Sequence, residues 1–335
     1  MTATVRSAVI TEFGAPPALR EGPPTTGKEG TVELRVIAAS FNPVDRLITS
    51  GRWYAGNPEL PYVPGREGVG YVVSPSPHGW NSGDLVYFRT QGIEQGSMAE
   101  QVHAHVDNLV AIPDGLAPEV AAAVGFVGTT AALALGIRGA MRAGERVVVL
   151  GATGSVGRAG AQIAAELGAG AVVAVGRSAV GWDDPRCSYV ATDELWREAA
   201  DDADRRNLLR EAILDATDGP VDLVIDTVWG LPAEAAAGAL AQGGRMVNLG
   251  SSAGAEATFS SELLRGRTLD LRGHTNASIA PQVFGDYCQQ VFALARAGRV
   301  VVPSKTFSLA DVGSAWNRVG LSPATKVVVD LRKEN

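Results

Sequence analysis

The chain has 335 residues, of which 46% are hydrophobic and 19% charged, with two cysteines and a formal net charge of -7. That length suggests about two domains, and the apolar share can fill their cores, so global disorder, a disulfide scaffold and a four-cysteine zinc lobe are excluded. Diffuse acidity argues against a nucleic-acid partner, which needs a basic surface.

In chain order, residues 1–20 show no continuous apolar leader and hold Glu12, Gly14, Pro16 and Pro17. Short Val-, Ile- and Tyr-rich segments at 7–10, 31–39, 68–73 and 84–89 predict strands separated by Gly/Pro turns, a compact β unit. The weakly polar run 121–137 holds Gly125, Gly128, Thr129, Thr130 and Gly136, is short for a membrane span, and predicts a buried helix. A soluble cytoplasmic protein with no membrane partner is the expectation. From about Pro118 onward the pattern alternates. Strands are predicted at 146–150, 171–175, 222–228, 245–249 and 269–272, with helices after Ser155 and at 195–216 and 232–241. That alternation implies a parallel sheet with helices on both faces. A helix at 281–298 and a strand at 326–331 close the chain, and this tail is expected to return to the N-terminal unit.

Between the strand at 146–150 and the helix that follows lies Gly151-Ala-Thr-Gly154-Ser155-Val156-Gly157. A helix N-terminus offers unpaired N–H groups and a positive dipole end to a pyrophosphate. Gly154 lets the backbone approach the phosphates, and Gly157 allows close helix–strand packing. The G-x-x-G-x-x-G spacing differs from the common dinucleotide fingerprint, and a turn that only packs is the alternative. The flanking strand and helix favour the nucleotide. The next strand ends in Gly176-Arg177-Ser178, with no acid before Asp183 to bond a ribose 2′-hydroxyl. Arg177 can fork onto a 2′-phosphate, with Ser178 adding a hydroxyl, so NADPH is the expected cofactor. The alternative is an exposed surface arginine.

The order of Asn42-Pro-Val-Asp45, Ser50-Gly51, the run Leu60-Pro-Tyr-Val-Pro-Gly-Arg66-Glu67-Gly-Val-Gly70, Gly83-Asp84-Leu85-Val86, the loop at 151–157, Gly243-Gly244-Arg245 and Lys326-Val327-Val328 resembles the medium-chain dehydrogenase/reductase superfamily, closest to its zinc-free quinone oxidoreductase branch. The resemblance covers nearly the whole chain. It implies an α/β protein: a GroES-like, mostly-β catalytic domain from residues 1–120 and 274–335, and a Rossmann domain with a doubly wound parallel sheet from 121–273. It implies that Asn42 and Thr130 touch the nicotinamide end, that Asn248-Leu249-Gly250-Ser251 and His274-Thr-Asn276 flank the cofactor, and that homodimers form along the sheet edge near 269–272.

Zinc members of the superfamily use Cys, His and Cys or an acid. The matching positions here hold Asn42 and Arg66, Glu67 cannot make a site alone, and no metal is expected. Two departures stand out. The slot that often holds a tyrosine in this branch holds Trp53, with Tyr54 next. Either a one-residue slip brings the Tyr54 hydroxyl into the cleft or Trp53 is a wall. Gly181-Trp-Asp-Asp-Pro185 also breaks the helix usual after the second Rossmann strand.

The expected activity is zinc-independent hydride transfer from NADPH to a small quinone or α,β-unsaturated carbonyl. Such an acceptor delocalises the arriving charge, and oriented donors, with Asn42, Tyr54 and backbone N–H groups as candidates, do the rest. Two alternatives remain: an enoyl-thioester reductase, for which Arg46, Arg52 and Arg66 supply positive charge, and a non-catalytic NADPH-binding scaffold.

Overall fold

Alternating apolar and polar residues in the first third make strands that bury one face. The structure is a computed structural model and describes residues 4–53, 55–76, 79–90, 95–321 and 325–332. Tyr54, Pro77 and His78 lie outside them. The chain divides into two units, Met1–Phe126 with Ala280–Asn335, and Val127–Ile279.

In the first unit β1 (Val5–Val9) pairs antiparallel with β2 (Ala18–Gly22). The long β3 (Thr31–Phe41) runs into α1 (Pro43–Thr49). Pro43, which lacks an N–H and has a preset φ, suits the first helical position. Asp45 completes the cap by accepting the Asn42 backbone N–H at 2.7 Å. Then follow β4 (Glu67–Val72), β5 (Leu85–Arg89), β6 (Gln101–His105), β7 (Leu109–Ala111) and α2 (Pro118–Leu133), whose residues from Val127 onward belong to the second unit. The run Pro118–Arg138 is long and apolar enough to cross a membrane by length and composition, but 72% of its apolar window is buried, as in a core helix.

The inserted unit holds β8 (Arg146–Leu150), α3 (Ser155–Glu166), β9 (Ala171–Gly176), β10 (Ser188–Ala191), α4 (Thr192–Leu195), α5 (Asp202–Thr217), β11 (Val221–Asp226), α6 (Gly230–Ala239), β12 (Leu240–Asn248), α7 (Ser261–Gly266) and β13 (Asp270–Gly273). Among the described residues its strands form one sheet in the order β10-β9-β8-β11-β12-β13, parallel throughout. This is the doubly wound order, reversing between β8 and β11, where ligands bind at the strands' carboxyl ends. Val148, Leu150, Val173, Val175 and Val224 pack with Leu209 and Ile213 of α5 in its core.

Three features depart from the sequence expectation. The helix expected at 195–216 is two helices, because Asp201 restarts the chain by accepting the Asp204 N–H at 2.9 Å. The strand expected at 245–249 begins five residues earlier, at Leu240. Residues 177–187 connect β9 to β10 without a helix, as the Gly181–Pro185 break implies, but the short strand β10 itself was not expected.

The chain then returns to the first unit through α8 (Pro281–Arg296), β14 (Ser304–Ser308), α9 (Val312–Arg318) and β15 (Lys326–Asp330). β15 lies antiparallel to β3, with Val327 opposite Phe41, so the tail joins the central sheet. Phe41 meets Trp316 of α9 edge to face at 5.1 Å.

Candidate functional site

Four strand ends of the inserted unit converge on the glycine loop. Gly151 has φ +76°, and a Cβ there would fall 2.2 Å from the Thr227 Oγ1. A Cβ on Gly157 would fall 2.3 Å from the Gly151 carbonyl oxygen. Both positions therefore demand glycine for the loop to close. The Gly154 N–H donates to the Gly151 carbonyl at 2.9 Å, and Gly154 caps α3 in extended conformation. The N–H groups of Ser155, Val156 and Gly157 are thus the first of α3, with no partner inside the helix. This arrangement fits a dinucleotide pyrophosphate.

Beside the loop, Gly176 ends β9. A Cβ there would meet the Tyr189 hydroxyl oxygen at 2.2 Å, and that hydroxyl donates to the Ser178 carbonyl at 2.7 Å. Burial, helped by the Asp193 charge, pushes the Tyr189 phenol up to about 12, so it stays a donor. The Arg177 and Ser178 side chains are exposed, and Ser178 Oγ accepts the Val180 N–H at 3.2 Å.

Asp226, fully buried at the end of β11, orders the next segment. It accepts from the Val228 and Trp229 N–H groups at 2.9 Å each and from Asn248 Nδ2 at 2.9 Å. Burial still raises its pKa. The Leu249 N–H donates to the Asp226 carbonyl at 2.7 Å, and a Cβ on Gly250 would lie 2.8 Å from the Thr227 carbonyl oxygen. Ser251 follows on the surface. The structure also joins Thr130 to Asn276, whose Nδ2 donates to Thr130 Oγ1 at 2.7 Å. His274 Nε2 lies 3.0 Å from the Asn276 Oδ1. Burial lowers the His274 pKa, which favours a neutral ring donating through Nε2.

In the first unit Asn42 is 2% exposed and both ends of its amide are engaged. Its Nδ2 donates to Glu67 Oε1 at 3.0 Å, and its Oδ1 accepts from the Lys326 ammonium at 2.5 Å. Glu67, with no exposure, takes four further donors: Ser40 Oγ at 2.6 Å, Lys326 Nζ at 2.9 Å, Tyr87 OH at 3.0 Å and the Phe126 N–H at 2.7 Å. These donors join β3, β4, β5, α2 and β15 around one carboxylate. Burial and the Glu67 charge together raise the Tyr87 pKa well above its ordinary value. Asp45 is buried to 1% exposure, and its Oδ1 has no hydrogen-bond partner. Burial pushes its carboxyl up to about 7 despite the Asn42 N–H and the charges of Arg66 and Lys326. Arg66 lies over the half-buried Trp53 ring, its guanidinium carbon 5.6 Å from the centroid.

The structure therefore gathers the sequence-predicted residues at 151–157, 176–178 and 249–251 at one end of the inserted sheet, and Thr130 with Asn276 beside them in that unit. It places Asn42 in a separate buried network. Sequence reasoning missed Asp226, Tyr189 and the Lys326–Glu67 contact. Tyr189 sits on a strand of only four residues, and Lys326 meets Glu67 only through the return of β15.

Comparison with known proteins agrees with this architecture. Residues 28–114 match the alcohol dehydrogenase GroES-like domain family, and residues 193–329 match the family described as zinc-binding dehydrogenase. The chain belongs to the medium-chain dehydrogenase/reductase superfamily. Within it, the human quinone oxidoreductase is 34% identical over 169 residues, 49% of this chain and 50% of that protein. A phenolphthiocerol/phthiocerol polyketide synthase of Mycobacterium tuberculosis is 30% identical over 90% of this chain but only 13% of its own length. The chain thus spans about half of the one and about an eighth of the other. The quinone oxidoreductase from Thermus thermophilus, with structures that include a complex with NADPH, aligns at a TM-score of 0.76 and 29% identity over 97% of this chain and 100% of its own.

One family description implies zinc, and the residues here do not fit it. Glu67 already accepts five donors, one of them an ammonium, and Asn42 and Arg66 offer an amide and a cation at the neighbouring positions. Zinc needs three or four thiolate, imidazole or carboxylate ligands. Among the described residues no three such groups converge.

Proposed function

We propose that this chain is an NADPH-dependent, zinc-independent reductase of conjugated carbonyl acceptors, quinones or enones. The observation that carries it is the phosphate loop beside a β9 end that continues directly into the exposed Arg177 and Ser178, held by the Ser178–Tyr189 and Asp193–Arg177 hydrogen bonds, a pair of side chains that suits a 2′-phosphate. The quinone oxidoreductase relatives support the acceptor class. NADPH, when bound, supplies the hydride equivalent. The chain's own part is to hold the pyrophosphate on the α3 N-terminus, to fix Leu249–Gly250 through Asp226, and to orient the Thr130 hydroxyl through Asn276 and His274.

The acceptor chemistry follows from charge. A saturated ketone would become a localised alkoxide, which calls for a metal or a matched acid to stabilise it, and the residues at the family's zinc positions do not suit that metal. A conjugated acceptor spreads that charge as an enolate or hydroquinone anion, for which hydrogen-bond donors suffice.

A second reading, enoyl-thioester reduction, is favoured by the polyketide synthase relatives that align over most of this chain. Tyr54, outside the described residues, would then be the proton donor. NADPH oxidation with a panel of quinones, enones and enoyl thioesters tests both readings. Tyr54→Phe should leave quinone reduction largely intact but lower an enoyl kcat by roughly 10²-fold if that tyrosine protonates the product. No oxidation with any acceptor would favour a binding protein. The exposed edge strand β13, where Leu271 is 38% exposed, supports a homodimer as the assembly.

A further inference from the structure

The segment that replaces the helix between β9 and β10 is gripped from below by α3. Arg158 stands one residue past the last glycine of the phosphate loop, and its side chain is only 7% exposed. Its Nη1 donates to Asp183 Oδ1 at 2.8 Å and its Nη2 to the Gly181 carbonyl. Its guanidinium carbon lies 5.1 Å from the Trp182 ring centroid, and that ring packs on Tyr189 at 5.5 Å. Tyr189 in turn bonds the Ser178 carbonyl and fills the space over Gly176. A continuous stack therefore runs from α3 through Trp182 and Tyr189 to Gly176-Arg177-Ser178. A second grip lies further along, where Arg186 bridges Asp184 at 2.6 Å and Glu166 of α3 at 2.5 Å. A helix after β9 would fix the backbone by its own ladder of hydrogen bonds, whereas this strap has only scattered ones, among them the Asp193 N–H to the Arg177 carbonyl at 2.9 Å, and is otherwise held by side chains, Arg158 and Glu166 of α3 among them.

We propose that Arg158 is a positioning residue for cofactor choice: by clamping residues 181–183 it holds Arg177 and Ser178 where they meet a 2′-phosphate, without touching the phosphate itself. The proposal rests on the NADPH reading above. Its physical basis is the planar fork of arginine, which grips two acceptors while stacking on a ring; a lysine carries the same charge but cannot do both.

The test measures Kd for 2′,5′-ADP and for 5′-AMP by calorimetry on the full chain. Wild type should prefer 2′,5′-ADP. Wild type binding both alike would defeat the NADPH reading itself, whatever Arg158 does. Given the preference, Arg158→Lys and Arg158→Leu should each lower it by about tenfold, the scale of one charge-assisted hydrogen bond misplaced, with 5′-AMP binding nearly unchanged. Retention of the preference in Arg158→Lys would show that Arg158 acts by charge alone and overturn the proposal. Equal loss of both ligands would reduce Arg158 to a fold-stabilising role and overturn it as well. Trp182→Leu, which changes no charge, is the companion variant should the arginine variants not fold: the same selective loss supports the clamp, and an unchanged preference refutes it.

Discussion

Asp45 offers a sharp test of the electrostatics of the first unit. Its carboxyl is buried, its Oδ1 lacks a partner, and burial moves its pKa from 3.8 to about 7. A carboxyl with a raised native pKa binds its proton more tightly when folded, so its contribution to stability falls as pH rises from 3.8 towards 7. One pKa unit corresponds to about 1.4 kcal/mol. Integrating the two titrations, the folded chain should lose roughly 2–3 kcal/mol through this group between about pH 5 and pH 8. Asp45→Asn keeps an acceptor for the Asn42 N–H and removes the titration. Reversible urea unfolding of both proteins at several pH values isolates the term, because every other group titrates alike. The variant should gain about 2–3 kcal/mol on wild type between about pH 5 and pH 8. A stability difference independent of pH would mean that Arg66 and Lys326 hold Asp45 ionised, and the reasoning would fail.

Three further expectations follow from the same geometry. Glu67→Gln should cost about 3–5 kcal/mol in urea unfolding, because it strands the Lys326 ammonium in the core, and Lys326→Met should cost less, because Glu67 keeps four donors; equal costs would contradict the network. Arg177→Ala should weaken NADPH binding by about 10- to 150-fold and leave NADH nearly unchanged, as read by nicotinamide fluorescence titration. Elemental analysis should find no stoichiometric zinc in purified protein and chelator should leave activity intact, whereas one zinc per chain with activity lost on its removal would contradict the zinc-independent reading.

The parts of the fold legible in the sequence were those specified locally. The strand at 146–150 is a Val run between charged and glycine residues, and α3 follows with Val156, Ala159 and Ile163 at helical spacing, so both stand where periodicity places them. The four-residue β10 carries one buried side chain and no alternation long enough to read. The break between α4 and α5 depends on a capping side chain inside a helix-forming composition. The Lys326 contact with Glu67 was beyond local reading, since β3 and β15 meet only when the two chain ends pair. For the site, the glycines betray themselves because a Cβ would collide there. Arg158 gave a weaker signal: an arginine in an otherwise small, apolar stretch of α3, opposite a segment whose Gly181 and Pro185 deny it a helix.

Zinc-independent reduction of conjugated acceptors is tested by following the hydride. Chelator-treated protein would be given NADPH carrying deuterium at C4, with a quinone, a cyclic enone and a saturated ketone as competing acceptors, and the products analysed by mass spectrometry and NMR. Deuterium should appear at the carbon β to the enone carbonyl, with quinone consumption alongside it and no labelled alcohol from the ketone. Labelled alcohol formed from the ketone at a comparable rate by metal-free protein would contradict it.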